Sequence, residues 1–176
     1  MMSIRQILLC TFLSAVTVVA AYADGNNMIY VDIDEVIKVE DLQPIDEITS
    51  SGQPDAKAFA IVADSGYVAV IDMRGPNENR GLDEKAVVEA LGLEYIEFPL
   101  VGREAISFEN AQRLDKLLTD IDGPVLLHCG SGERVGAILA LRHNLQGADD
   151  AAALEYGRDA GLSSLEPLVR DRLEQN

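Results

Sequence analysis

One stretch of the chain gathers residue types that form and stabilise covalent intermediates: Val125-Leu126-Leu127-His128-Cys129-Gly130-Ser131-Gly132-Glu133-Arg134-Val135-Gly136. An apolar run of strand character ends at a cysteine, a glycine-containing turn follows, and an arginine leads into an apolar helical stretch. Sites of open α/β sheets lie beyond the carboxyl ends of the strands. A thiol placed there, at the foot of a helix, faces unpaired backbone N–H groups that favour negative charge. Those groups favour the Cys129 thiolate, which is the nucleophilic form. The same N–H groups, from Gly130, Ser131 and Gly132 through Glu133, Arg134 and Val135, form a candidate anion-binding loop. Gly130 and Gly132 let its backbone curl tightly. Arg134 adds a planar fork that matches a tetrahedral oxyanion. Taken singly, Cys129 reads as a core cysteine and Arg134 as a surface ion-pair partner. Their spacing between a strand and a helix argues instead for group transfer from an anionic substrate through a covalent Cys129 intermediate.

The elements that position this segment alternate between strand and helix. Ile45 to Thr49 reads as a short strand, and Pro54 fits the first position of a helix whose apolar face is Ala56, Phe59, Ala60 and Ala63. Tyr67 to Ile71 is a nearly continuous apolar run, as expected of a buried strand. After a loop containing Gly75, Pro76, Asn77, Asn79 and Gly81, Asp83 caps a short helix through Leu91. Tyr95 to Leu100 is the next strand, and Ser107 caps a helix with Ala111, Leu114, Leu117, Leu118 and Ile121 on one face. Val125 to His128 is a buried strand and Val135 to Asn144 an apolar helix, on which His143 is expected to be exposed. Two more helices are expected, Asp149 to Ala160 and Leu165 to Leu173, the second with a Ser163/Glu166 capping box. This alternation predicts an α/β domain of three layers, with a mainly parallel central sheet flanked by helices.

Charge and composition narrow the function. The 176 residues carry 14 Lys plus Arg against 30 Asp plus Glu, a net charge of −16. Nucleic-acid binding is excluded, because neutralising phosphates needs clustered positive charge. An anionic membrane surface is disfavoured for the same reason. Two cysteines cannot supply a four-ligand zinc pattern of paired spacing, and no metal or organic cofactor is implied. Residues 1–23 read as a secretory signal peptide, with Arg5, an apolar stretch through Ala20 and an Ala21-Tyr22-Ala23 cleavage site. Cleavage removes Arg5, Cys10 and no acid, so the mature charge is −17 and Cys129 is the remaining cysteine. The expected location is periplasmic or secreted, with no membrane contact after cleavage. Residues 24–44 are a lead-in segment and 45–176 the domain.

The loop His128-Cys129-Gly130-Ser131-Gly132-Glu133-Arg134-Val135-Gly136 resembles the signature of the cysteine-dependent phosphatases. Together with Ile48-Thr49-Ser50-Ser51-Gly52-Gln53-Pro54, Val70-Ile71-Asp72-Met73-Arg74 and Gly157-Arg158-Asp159-Ala160-Gly161-Leu162, it is most similar to the beta-lactamase hydrolase-like protein phosphatase-like domain, a relative of the dual-specificity phosphatases. The resemblance implies hydrolysis of a phosphomonoester, with a small anionic substrate or a phosphorylated side chain as partner. It assigns Cys129 as nucleophile, Arg134 as clamp and His128 as a buttress of the loop. It also calls for a general acid from the loop after Tyr95 to Leu100, usually an Asp. Here that loop is Val101-Gly102-Arg103-Glu104-Ala105, and Glu104 is its carboxylate. Asp72, after the preceding strand, is expected to pair with Arg74 or to cap local backbone.

Three further departures bear on the chemistry. Four residues separate Cys129 from Arg134, where the standard motif has five. That shorter spacing is the one seen in rhodanese-like sulfurtransferases, which carry a persulfide on the cysteine. Val135 stands where phosphatases often have a Ser or Thr that assists thiolate departure; either Ser131 substitutes or no residue does. Glu133 puts a negative side chain beside the cradle. Sulfur transfer through a Cys129 persulfide, and a non-catalytic anion- or protein-binding module, therefore stand as alternatives.

Overall fold

The computed structural model describes residues 47–175 and the short strand Ile29–Tyr30. The signal-peptide reading of residues 1–23 lies outside the described residues, as does most of the 24–44 lead-in.

Five parallel strands form one sheet: β1 (Ile29–Tyr30), β2 (Ile48–Ser51), β3 (Ala69–Asp72), β4 (Glu94–Glu97) and β5 (Val125–His128), in the order β1-β2-β5-β3-β4. The helices are α1 (Ala56–Asp64), α2 (Glu84–Ala90), α3 (Phe108–Thr119), α4 (Glu133–Leu145), α5 (Asp150–Asp159) and α6 (Glu166–Glu174), with a 3₁₀ turn at Arg103–Ala105. This is the expected three-layer α/β arrangement. β1 falls inside the stretch read as a lead-in and adds an edge strand beside β2.

Strand side chains alternate between the two faces. Val125, Leu127 and Cys129 join Ala69, Ile71 and Met73 in the larger core, beneath α3 to α6. Leu126 and Val70 join Phe59, Val62 and Val88 in the smaller core, beneath α1 and α2. Asp72 and His128 share the parity of Val70 and Leu126, so they are carried to the α2 side of the sheet. Cys129, one residue on, faces the other way. A one-residue step thus separates the sulfur from the polar group behind it.

α4 is the central helix. Val135 to Leu141 are all buried, so it is covered on nearly every side. Its approach to α5 is close. A Cβ built on Gly136 would stand 2.3 Å from the Leu162 nitrogen and 2.6 Å from the Gly157 carbonyl.

Several local expectations change. His143 is buried, at 9% exposure, and stacks on Tyr156 with ring centroids 4.4 Å apart. The reason is that Tyr156 of α5 lies flat against its ring and covers it. The first helix begins after Asp55, which caps it by accepting from the Ala58 N–H at 2.8 Å; Pro54 lies one residue before the cap. The Ser163/Glu166 capping box does not form. Ser163 Oγ donates to Glu133, and Glu166 pairs with Arg158 and Arg170. Asp83 and Ser107 cap α2 and α3 as expected. No helix among the described residues is long and apolar enough to cross a membrane.

Candidate active site

The site is built where β5 ends. Cys129 is 1% exposed. Its N–H donates to the Ser51 carbonyl at 3.4 Å, and the His128 carbonyl accepts from Met73 N at 2.9 Å. The turn beyond is held by Gln53 N donating to the Gly130 carbonyl at 3.3 Å and by an antiparallel bridge between Gly52 and Ser131. The Ser-Gly-Gln stretch after β2 is therefore a strap under the loop. Gly132 takes φ +84°, a left-handed conformation that strains any other residue. That conformation points its N–H at Cys129 Sγ, 3.2 Å away. α4 begins at Glu133, earlier than the sequence suggested. Glu133, Arg134 and Val135 thus belong to its first turn, and the loop proper is Gly130 to Gly132.

Arg134 does not stand free. Its Nη1 and Nη2 donate to Glu78 Oε1 at 2.5 Å and Oε2 at 2.8 Å, a bidentate pair. Nη1 also reaches the carbonyls of Met73 at 3.4 Å and Leu100 at 3.5 Å. The Glu78 hydrogen bond, against the opposing effect of burial, raises the Arg134 pKa, and the Cys129 sulfur beside it adds to the effect. Glu78 is held in turn by Gly75 N at 2.7 Å and Arg74 Nε at 3.1 Å. Its hydrogen bond to Arg134 is the main cause that takes its pKa down to about 2, against the effect of burial. Arg74 continues the chain to Gln53 Oε1 on the strap. Nothing in the motif reading pointed to Glu78. The available signal was Arg74 and Glu78 four residues apart in the loop after a buried strand.

Behind the sulfur, on the α2 face, lies a buried polar network. His128 Nε2 is 2.7 Å from Glu84 Oε1 and 3.8 Å from Asp72 Oδ1. Asp72 Oδ2 accepts from Arg80 Nε at 2.6 Å and Tyr95 Oη at 2.8 Å, and its Oδ1 accepts from the Arg74 N–H at 2.8 Å. Asp72 therefore caps local backbone as expected, but its guanidinium partner is Arg80. Glu84 Oε2 accepts from Gln53 Nε2 at 2.6 Å. His128 supports the loop through this network, with Phe59 edge-on to its ring at 6.0 Å. Its Nδ1 is buried without a hydrogen-bond partner. Asp72, Glu84 and His128 place ligand-type atoms within 4.8 Å of one another. Arg80, Tyr95 and Gln53 already occupy the carboxylates, so the set is a charge network in which a metal would have to displace a guanidinium.

A cleft of about 440 Å³ opens beside Arg134. Ser131, Glu133, Arg134 and Glu78 line it, together with Leu100 to Arg103, Ile106, Ser164 and Leu165. Glu133 is turned away from the loop N–H groups. It accepts from Ser163 Oγ, from Ser164 N at 2.7 Å and from Leu165 N at 2.9 Å. Burial raises its pKa, but these hydrogen bonds prevail and hold it below the usual carboxylate range. Glu104 is not brought to the cleft. Its side chain is 92% exposed and pairs with Arg172 Nη2 at 2.9 Å. Arg158, from the Gly-Arg-Asp-Ala-Gly-Leu stretch, forms an ion pair with Glu166 at 2.8 Å.

With this geometry in place, the family model described as "DSP-PTPase phosphatase fused to NAD+ Kinase" matches residues 34–161, beginning inside the lead-in. A Beta-lactamase hydrolase-like protein of Xylella fastidiosa (strain Temecula1 / ATCC 700964) is 30% identical over 134 residues, covering 71% of this chain and 30% of that protein. The chain thus spans about a third of the length of that curated relative. The fold is shared with a putative phosphatase of Neisseria meningitidis (TM-score 0.65, 20% identity, 77% of this chain and 97% of that one). It is shared also with P. aeruginosa TpbA (TM-score 0.51, 19% identity, 73% and 80%).

Proposed function

Because the chain belongs to the family of DSP-PTPase phosphatases fused to NAD+ kinase, we propose that it is a cysteine-dependent phosphatase acting on phosphomonoesters. The observation that carries this reading is the Gly132 N–H aimed at the Cys129 sulfur, with Arg134 beside that sulfur, held by Glu78 and lining a cleft with Ser131. Glu78 takes the Nη1/Nη2 edge of the guanidinium. The Nε edge is left for the equatorial oxygens of a phosphoryl group. The Cys129 thiolate attacks phosphorus; the P–S bond forms as the bond to the leaving oxygen breaks. Water then attacks phosphorus, the P–S bond breaks and the thiolate returns, with a proton released to solvent. To Ser131, which lines the cleft, we assign donation to the departing sulfur. Partners of this site are a small anionic substrate or a phosphorylated side chain. The Ala21-Tyr22-Ala23 motif supports export, which N-terminal mass determination on protein recovered from the periplasm would test.

The test is turnover of an aryl phosphate by the unsubstituted protein and by Cys129→Ser. We expect activity in the first and none in the second. Inorganic phosphate should protect Cys129 from alkylation by iodoacetamide. The four-residue spacing favours one second reading, sulfur transfer through a Cys129 persulfide. A mass gain of one sulfur after thiosulfate treatment, without phosphatase turnover, would establish it in place of the first.

A further inference from the structure

The cleft is lined by two carboxylates and two guanidinium groups, those of Arg134 and Arg103. Glu78 and Glu133 are the carboxylates that line it. Both oxygens of Glu78 accept, from Arg134, Arg74 and the Gly75 N–H, and Glu133 accepts three hydrogen bonds from the Ser163 to Leu165 turn. Protonating either one would break the contacts that hold it, so neither has a proton to give. Glu104 lies outside, bound to Arg172. Asp72, Glu84 and His128 are buried on the opposite face of the sheet. The stretch Leu100 to Arg103, which lines the same cleft as Ser131 and Arg134, instead presents Arg103, preceded by Gly102 at φ +76° and by Val101, which is 64% exposed. Among the described residues no carboxylate pairs with the Arg103 guanidinium.

Resting on the phosphatase reading above, we propose that Arg103 takes the place of a proton donor: the leaving oxygen departs as an anion stabilised by the Arg103 guanidinium, and the cleft hydrolyses phosphoesters of acidic hydroxyls while rejecting alkyl phosphates. Arg103 cannot serve as an acid, because a guanidinium does not give up its proton in proteins. It supplies fixed positive charge where negative charge develops. In the first step the sulfur–phosphorus bond forms and the phosphorus–oxygen bond breaks. Both electrons of that bond stay on the leaving oxygen, which takes its proton later from water. Val101, which is exposed, and the half-buried Leu165 give the cleft apolar surface against which an aryl group can lie. An alkoxide leaving group is too basic to depart this way, and general acid catalysis, typically worth ~10²–10⁴-fold, is what it would lack.

The experiment is a series of aryl phosphates of graded leaving-group acidity, plus an alkyl phosphate, assayed with the unsubstituted protein, Arg103→Gln and Arg103→Lys. For the unsubstituted protein, kcat/KM should fall about tenfold for each unit of leaving-group pKa, the slope of an unprotonated departure. The alkyl phosphate should be turned over at least ~10³-fold more slowly. Arg103→Gln should lose roughly 100-fold in kcat on the poorest aryl leaving group and little on the best, and Arg103→Lys should recover most of the loss. A shallow slope, or an alkyl phosphate cleaved at a similar rate, would mean that a proton donor exists and would overturn the proposal. A uniform loss across the series would make Arg103 a binding group and overturn it equally. Absence of turnover on every aryl phosphate by the unsubstituted protein would instead overturn the phosphatase reading itself.

Discussion

A guanidinium has more than one usable edge, and Glu78 takes one of those of Arg134. The pairing fixes the orientation of the clamp before substrate arrives, and the Arg74–Gln53 contacts tie that orientation to the strap under the loop. Glu78→Gln keeps the size and loses the charge. We expect kcat on an aryl phosphate to drop by about tenfold with KM less affected, and the circular dichroism spectrum to be unchanged. Of the residues in the site, Cys129 and Arg134 were legible because their types and spacing are informative without neighbours. Glu78 was not, being one acid among 30 in a loop that carried only turn signals. Glu104 illustrates the reverse. Its place in the sequence suited a general acid, but its exposed carboxylate, on a 3₁₀ turn, pairs with Arg172.

At the scale of elements, the strand-to-helix joint between β5 and α4 sets the geometry. The left-handed Gly132 turns the chain so that one N–H meets the sulfur while Arg134, two residues on, sits in the first helical turn. α4 keeps this start only if it lies close against α5, and Gly136 and Gly157 allow that approach. Gly136→Ala would push a methyl group into backbone atoms that cannot move separately. We expect a loss of about 3 kcal/mol, read as a fall in Tm of roughly 10 °C, with a parallel loss of activity. The helices themselves were legible from periodicity and from Asp83 and Ser107 as caps. Their exact ends were not. The α4 start depended on Gly132, and the absent capping box depended on Glu133 competing for Ser163 from 30 residues away.

Over the whole molecule the charge is lopsided, and the ion pairs decide how it responds to acid. Glu78 and Glu166 each have a folded-state pKa of about 2, lowered from 4.5 chiefly by hydrogen bonds to Arg134 and Arg158 respectively. Their stabilising contributions are complete above about pH 4.5 and disappear as the pH falls toward 2. Denaturant midpoints should therefore be flat through neutral pH and decline below about 4.5, and Glu78→Gln should reduce that decline. Such surface-near pairs are screened by salt, so the acid decline should also shrink as salt is added.

The linear sequence by itself determined the alternating α/β pattern, the position of the Cys129–Arg134 segment at a strand end, and the acidic balance that makes each cation in the cleft notable. Those features follow from local periodicity and from residue types that keep their chemistry wherever they are placed. Only the tertiary structure decided the rest: Glu78 as the partner of Arg134, the His128–Glu84–Asp72–Arg80 network behind the sulfur, the burial of His143, and Arg103 rather than Glu104 on the cleft wall. Each of these is a competition among charged or polar groups far apart in the chain. Its outcome depends on which groups the sheet order β1-β2-β5-β3-β4 brings within hydrogen-bonding distance.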